Sequence, residues 1–201
     1  MKSILSTELE ILMKNLKLLN APVLELLNPP AEQIHISNLF NEYFPGTPIH
    51  EDIFDIFLWH NGTATDYQSP ATKFYIIAGF LFNSINEMES TLYTLDFIYE
   101  FKQKGFIPLF SNGHGEHLAI NLKDYSNNPG SSKVFHLSTT EIFPELYTSI
   151  YDSFYQMFIT VNECFKQGVY FIDGKGLMDF DFKRYYKISG EMNPNSEYWK
   201  D

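Results

Sequence analysis

The sequence predicts an α+β fold: a single domain with a mainly antiparallel sheet packed against several helices, plus a small C-terminal hairpin and coil tail. Three observations carry this expectation. The stretch Phe106–Leu122, FIPLFSNGHGEHLAINL, reads as an apolar strand, a polar turn at Ser111–Gly115, and a second strand. In that second strand Leu118, Ile120 and Leu122 alternate with His117, Ala119 and Asn121. A hairpin this apolar needs cover, and segments of helical periodicity lie on both sides of it. Strands and helices also fail to alternate regularly, which argues against a doubly wound parallel sheet.

The elements follow in order. Thr7 and Glu10 have capping-box spacing, and Leu9, Leu12, Leu16 and Leu19 recur at helical intervals up to Asn20-Ala21-Pro22. Ile36, Leu39, Phe40 and Phe44 predict a second helix, stopped by Pro45-Gly46. His50–His60 predicts a third, mostly buried, with Glu51 and Asp52 at the positive end of its dipole and Asn61-Gly62 as a left-handed stop. Residues 74–82, FYIIAGFLF, read as a buried strand with a bulge or close approach at Gly79. Ser84 and Glu87 form another capping box, opening a helix that runs to Lys102 or Lys104. After the hairpin come a turn at Asn127-Asn128-Pro129-Gly130 and a strand around Val134–Leu137. A long helix is expected from about Pro144 to Phe165, with Tyr147, Ile150, Tyr151, Phe154, Phe158, Val161 and Phe165 on one face and Gly168 as its stop. VYFID, GKG and LMDFDF then make the second hairpin, and NPNSEYWKD a polar coil anchored by Trp199.

The 201 residues, 44% hydrophobic and 17% aromatic, suffice for one sizeable core. No repeat or low-complexity linker divides them. The parts are an N-terminal helix over 1–20, a core over about 30–165, and a hairpin and tail over 166–201. A single cysteine, Cys164, rules out an internal disulfide framework and points to a reducing compartment. Glu8 and Glu10 interrupt what would be a signal peptide's apolar stretch, and no apolar run is long enough to cross a bilayer, so a cytoplasmic protein is expected.

The formal net charge is −11, and it is unevenly spread. Residues 18–165 hold seventeen acids against five lysines. From Leu18 to Thr72 there are seven acids (Glu25, Glu32, Glu42, Glu51, Asp52, Asp55 and Asp66) and no Lys or Arg. Direct nucleic-acid binding needs the opposite sign. A basic protein partner would be steered in by such a field.

Chemistry-bearing constellations are sparse. His114, Glu116 and His117 invite a metal reading, but His117 should face away from the other two on a strand, and the order is not that of a helical zinc motif. Cys164 falls within a helix as a packing residue, no serine lies in a GxSxG elbow, and no phosphate loop or dinucleotide fingerprint is present. Asp179 and Asp181 share a strand face beside Lys183 and Arg184, which reads as a solvated surface. No enzyme, cofactor or metal site is expected.

Four stretches in order resemble the SMI1/KNR4 (SUKH) superfamily: EDIFDIFLWHNG (51–62), FIPLFSNGHGEHLAINL (106–122), YDSFYQMF (151–158, with an Asp-Ser-Phe helix start), and GVYFIDGKGLMDFD with NPNSEYW. Three positions depart from the family pattern. Phe106 or Ile107 stands where tryptophan often precedes the hairpin proline, Glu116 replaces an aspartate, and Asn121 replaces an acid. The resemblance implies a non-catalytic, cofactor-free immunity protein that binds a cognate polymorphic toxin, such as a nuclease or deaminase, and occludes its cleft. The candidate contacts are the acids Glu51, Asp52, Asp55, Asp66 and Glu116, with Tyr67 as an aromatic anchor. The alternative is a regulatory or small-ligand module of the same fold, for which an aromatic pocket with a few polar groups would be the mark.

Overall fold

Five strands form one antiparallel sheet in sequence order: β1 (Leu81–Phe82), β2 (Phe106–Ser111), β3 (Glu116–Asn121), β4 (Val134–Ser138) and β5 (Thr148–Tyr151). The computed structural model describes residues 3–66, 69–123, 132–138 and 148–200, with the backbone alone at 96–99. Its helices are α1 (Ile4–Leu19), α2 (Gln33–Tyr43), α3 (Glu51–Trp59), α4 (Ile85–Tyr99), α5 (Phe101–Lys104), α6 (Phe154–Lys166) and α7 (Phe182–Met192). A separate hairpin pairs β6 (Tyr170–Ile172) with β7 (Met178–Phe180). The chain is thus an α+β domain, and nearly all of its buried apolar side chains, from Leu5 to Ile188, join one cluster.

The central hairpin lies where the sequence puts it, with Ile107 opposite Ile120 and Phe110 opposite Leu118. The register shifts between Pro108 and Phe110, where proline supplies no N–H to the ladder. Buried Asn83 occupies this bulge, its side-chain amide donating to the Pro108 carbonyl at 2.9 Å and its backbone N–H to that of Leu109 at 3.0 Å. Side chains on both faces of β3 are buried, His117 and Ala119 as well as Leu118 and Ile120, so helices cover the sheet on two sides. Phe110 meets Phe158 of α6, while Phe106 meets Phe101 of α5 and Phe135 of β4.

Several elements differ from expectation. Helix α1 begins a turn early: Ser3 caps it by accepting from the Ser6 N–H, and Thr7 instead donates its hydroxyl to the Ser3 carbonyl. Residues 74–82 are not one strand. A turn at Gly79 (φ +77°) folds Ile77 back on Phe80 and leaves two strand residues, and the Tyr170 hydroxyl accepts from the Ala78 N–H at 3.1 Å to hold the turn. The helix after Ser84 breaks at Glu100, which is left-handed (φ 55°), giving α4 and α5.

The long helix expected from Pro144 is shorter. Ser153 caps α6, accepting from the Gln156 N–H at 3.0 Å, and Ile150 and Tyr151 belong to β5. Residues 144–147, like the turn at 127–130, lie outside the described residues. The apolar spacing of Ile150 and Tyr151 fits either state, and the cap decides it. Helix α7 fills the stretch between the expected hairpin and the expected coil, to which the sequence assigns no element; it is opened by Asp181, which accepts from the Arg184 N–H. Asp181 is therefore a cap and shares no strand face with Asp179.

The tail is fastened to β5. Ser196 Oγ donates to the Ser149 carbonyl at 2.7 Å, the Trp199 indole N–H to that of Ile150, and the Asp152 N–H to Asn193 Oδ1 at 3.0 Å. Asn193 and Ser196 are buried. Among the described residues no helix is long and apolar enough to cross a membrane.

Candidate protein-interaction surface

Helix α3 is positioned through its apolar face, with Ile53, Ile56 and Phe57 buried. Its three acids have different fates. Glu51 is exposed at the first turn. Asp52 is buried, which corrects the expectation that it faces a partner. Its Oδ1 accepts from the Tyr155 hydroxyl of α6 at 2.8 Å, and its backbone N–H donates to His50 Nδ1 at 3.3 Å, the cap that opens the helix. Burial, followed by the bond to Asp52, pushes the Tyr155 phenol well above its ordinary range. Asp55 is half-buried and accepts from the Ser3 hydroxyl, tying α3 to the start of α1.

Asp66 is exposed and accepts from the N–H and hydroxyl of Ser69, both at 2.7 Å. Tyr67 lies outside the described residues. Glu116 sits at the tip of the central hairpin, on a different element from these acids. Of the predicted contacts the structure therefore places Glu51 and Asp55 on one helix with a buried Asp52 between them, and separates Glu116 from that set.

A second acidic feature escaped the sequence reading. A groove of about 380 Å³ runs between α2 and α4, lined by His35, Asn38, Glu42, Asn61, Asn86 and Glu89 among others. Glu42 is exposed, and Glu89 accepts from the Tyr43 hydroxyl at 3.2 Å. The Lys102 ammonium stands 4.5 Å from the Tyr43 ring centroid. Two carboxylates and three side-chain amides in one groove suit a guanidinium or ammonium group. The spacing of Glu42 and Glu89 along the chain gives no hint of their meeting, because only the packing of α2 on α4 joins them.

The groove's wall also explains the asparagine–glycine after α3. Asn61 Oδ1 accepts from the Ile85 N–H at 2.9 Å and so caps the start of α4, while Asn28 holds the Asn61 carbonyl at 2.9 Å. Gly62 is left-handed (φ +76°), and a Cβ there would lie 2.2 Å from the Ser84 backbone nitrogen.

His114, Glu116 and His117 do not converge. His117 is buried and its Nδ1 has no partner among the described residues, while His114 is exposed in the turn and Glu116 leans on Asn112, whose Nδ2–H donates to it at 2.6 Å. Among the described residues no group of three or more His, Cys, Asp or Glu is placed to hold a metal ion. Cys164 is buried, and burial pushes its thiol up to about 12, far from a reactive thiolate.

Burial, with a smaller contribution from His136, lowers His117 to about 4. The unfolded chain, with its histidine near 6.5, binds this proton first, so stability is complete above about pH 6.5 and declines as pH falls toward 4. The expected slope is at most about 1.4 kcal/mol per pH unit in that window. Urea titrations of His117→Phe and the parent from pH 7 to 4 check it: the variant should lose this part of the pH dependence, and an unchanged slope would refute the assignment.

Residues 51–62, 106–122, 151–158 and 168–181 with 193–199 occupy α3 and its stop, the central hairpin, the end of β5 with the start of α6, and the C-terminal hairpin with its tail. No protein-family model matches the chain, and no curated protein matches it in sequence.

Proposed function

We propose that this chain is a non-catalytic binding protein of the immunity type, related to the SMI1/KNR4 superfamily, that neutralises a basic toxin by covering its cleft with an acidic surface. The observation that carries the reading is the set of solvent-facing acids between Glu25 and Asp66. Glu25, Glu32, Glu42, Glu51 and Asp66 are exposed, Asp55 is half-exposed, and no Lys or Arg interrupts them in the chain. The groove between α2 and α4 gives this field a concave place for a cationic side chain. A toxin that acts on phosphate presents basic groups, and an anionic partner imitates the charge of its substrate. Asp52 has no part in this surface; its role is to join α3 to α6.

The test is co-expression with the product of the neighbouring reading frame. Relief of that product's toxicity together with a stable complex is the expected result, and unrelieved toxicity with no complex would overturn the proposal. Within the complex, reversing Glu32, Glu42 and Glu51 to lysine should slow association by about tenfold or more at low salt, with the difference shrinking as salt is raised. Stopped-flow association rates measure this, and an unchanged low-salt rate would remove the role assigned to this face.

A further inference from the structure

Glu116 stands apart from the acids of α2 and α3, and its surroundings are of another kind. It lines a cleft of about 160 Å³ between the sheet and the C-terminal elements, walled by Phe80, His136, Tyr186, Tyr198 and Trp199 among others, with no Lys or Arg in the lining. The rings meet near right angles. Tyr198 and Trp199 are 4.7 Å apart at 81°, Tyr186 and Trp199 5.2 Å at 78°, and Phe80 and His136 6.3 Å at 83°. These rings give the cleft aromatic walls on several sides of Glu116.

The carboxylate is also held in place. Asn112 donates to Glu116 Oε2 at 2.6 Å, and Asn112 Oδ1 in turn accepts from the N–H groups of His114 and Glu116. His136 Nε2 is 3.8 Å from the same Glu116 oxygen. The charge is felt at the cleft wall: beneath the larger effect of burial, Glu116 raises the Tyr198 phenol. The mouth is open, with Tyr198 40% exposed and the Glu116 side chain 44% exposed. Lys183 and Lys187 line a neighbouring groove behind Tyr186 and Trp199 and do not enter this one.

The volume narrows the choice of ligand. It equals roughly five waters of liquid, below the range of drug-sized pockets, so it fits a small head group. A neutral apolar guest would lie against an ionised carboxylate and cost it hydration without return. A cation gains from both the rings and the charge. We infer that this cleft binds the head group of an alkylated ammonium cation, the π-faces of Tyr186, Tyr198 and Trp199 surrounding it and Glu116 neutralising it. The site uses none of the residues of the acidic toxin-facing surface, and it stands or falls separately from that proposal.

Calorimetric titration of the full chain tests it with three probes: choline, its neutral isostere 3,3-dimethylbutan-1-ol, and a short peptide carrying trimethyllysine. Saturable binding of choline or of the peptide is expected, with the neutral isostere about tenfold weaker or more. Glu116→Gln keeps an oxygen for Asn112 and should weaken cation binding by about tenfold while leaving the circular dichroism unchanged. Tyr198→Ala, at an exposed position, should weaken it as well. Binding of choline would assign the site to a free small molecule, and binding of the peptide alone to a modified protein side chain. Equal affinity for the isostere, full affinity in Glu116→Gln, or no saturable heat with either cation at millimolar concentration would overturn the inference.

Discussion

Gly62→Ala is expected to destabilise the fold by about 4 kcal/mol or more, enough to unfold much of the population of an ordinary domain. Two effects add. A side chain at φ +76° costs roughly 1–2 kcal/mol by itself. The added carbon would also lie 2.2 Å from the Ser84 nitrogen and 2.5 Å from its Cα, and these are backbone atoms at the entrance to α4 that cannot rotate aside. Ser84 is committed there by a reciprocal pair of bonds, its N–H to Glu87 at 2.7 Å and the Glu87 N–H to its hydroxyl at 3.2 Å. Relief would therefore have to come from the α3–α4 junction, where Asn61 caps α4. Gly46→Ala is the control: it has the same left-handed backbone (φ +78°) with nothing within 4 Å, so it should show the conformational cost alone. Urea denaturation of the two variants separates the effects, and equal losses would mean that the close approach at Gly62 is not a constraint.

The second large effect is at Asp52. Asp52→Ala should cost about 3 kcal/mol, because it removes a buried acceptor and leaves the Tyr155 hydroxyl without it. Tyr155→Phe should cost about 1 kcal/mol, since one hydrogen bond to the Asp52 carboxylate is lost. The double variant should lose less than the two together, since once Asp52 is gone the phenol is only an unpaired polar group. A chemical-denaturation cycle gives the coupling, and additive losses would show that the Asp52–Tyr155 bond contributes nothing. The same cycle bears on function. If Asp52 serves the α3–α6 junction, charge reversal there disrupts the fold and says nothing about a partner, which is why the association test uses Glu32, Glu42 and Glu51.

Much of the fold was legible where sequence pattern and local chemistry agree. The central hairpin could be read from its alternation and its glycine turn, and α4 from the Ser84–Glu87 box, which closes as its spacing implies. Reading failed where two local signals competed. Ile150 and Tyr151 continue the helical spacing of Phe154 and Phe158, but Ser153 is the cap and ends that periodicity. The run at 74–82 has strand composition, yet Gly79 turns it and leaves only Leu81 and Phe82 to pair with β2. Helix α7 was hidden by its polar character, although Tyr185, Ile188 and Met192 carry its inner face at helical intervals.

The candidate surfaces were half legible. Exposed Glu51 and Asp66 follow from composition, but the burial of Asp52 depends on Tyr155, more than a hundred residues away in the chain. The aromatic walls around Glu116 come from the sheet, α7 and the tail together, and of these the sequence marks only Trp199, as an anchor.

The stitching of the tail to β5 has a consequence for how this molecule can be met. An outer strand ordinarily offers a ledge of bare amides and carbonyls on which a neighbour's strand can lie down and extend the sheet. Here Ser196 and Trp199 already hold two carbonyls of the described strand and Asn193 the N–H just past its end, and at the opposite margin β1 is two residues long. Lateral zippering between copies is discouraged at both margins, which leaves recognition to side chains and their charges.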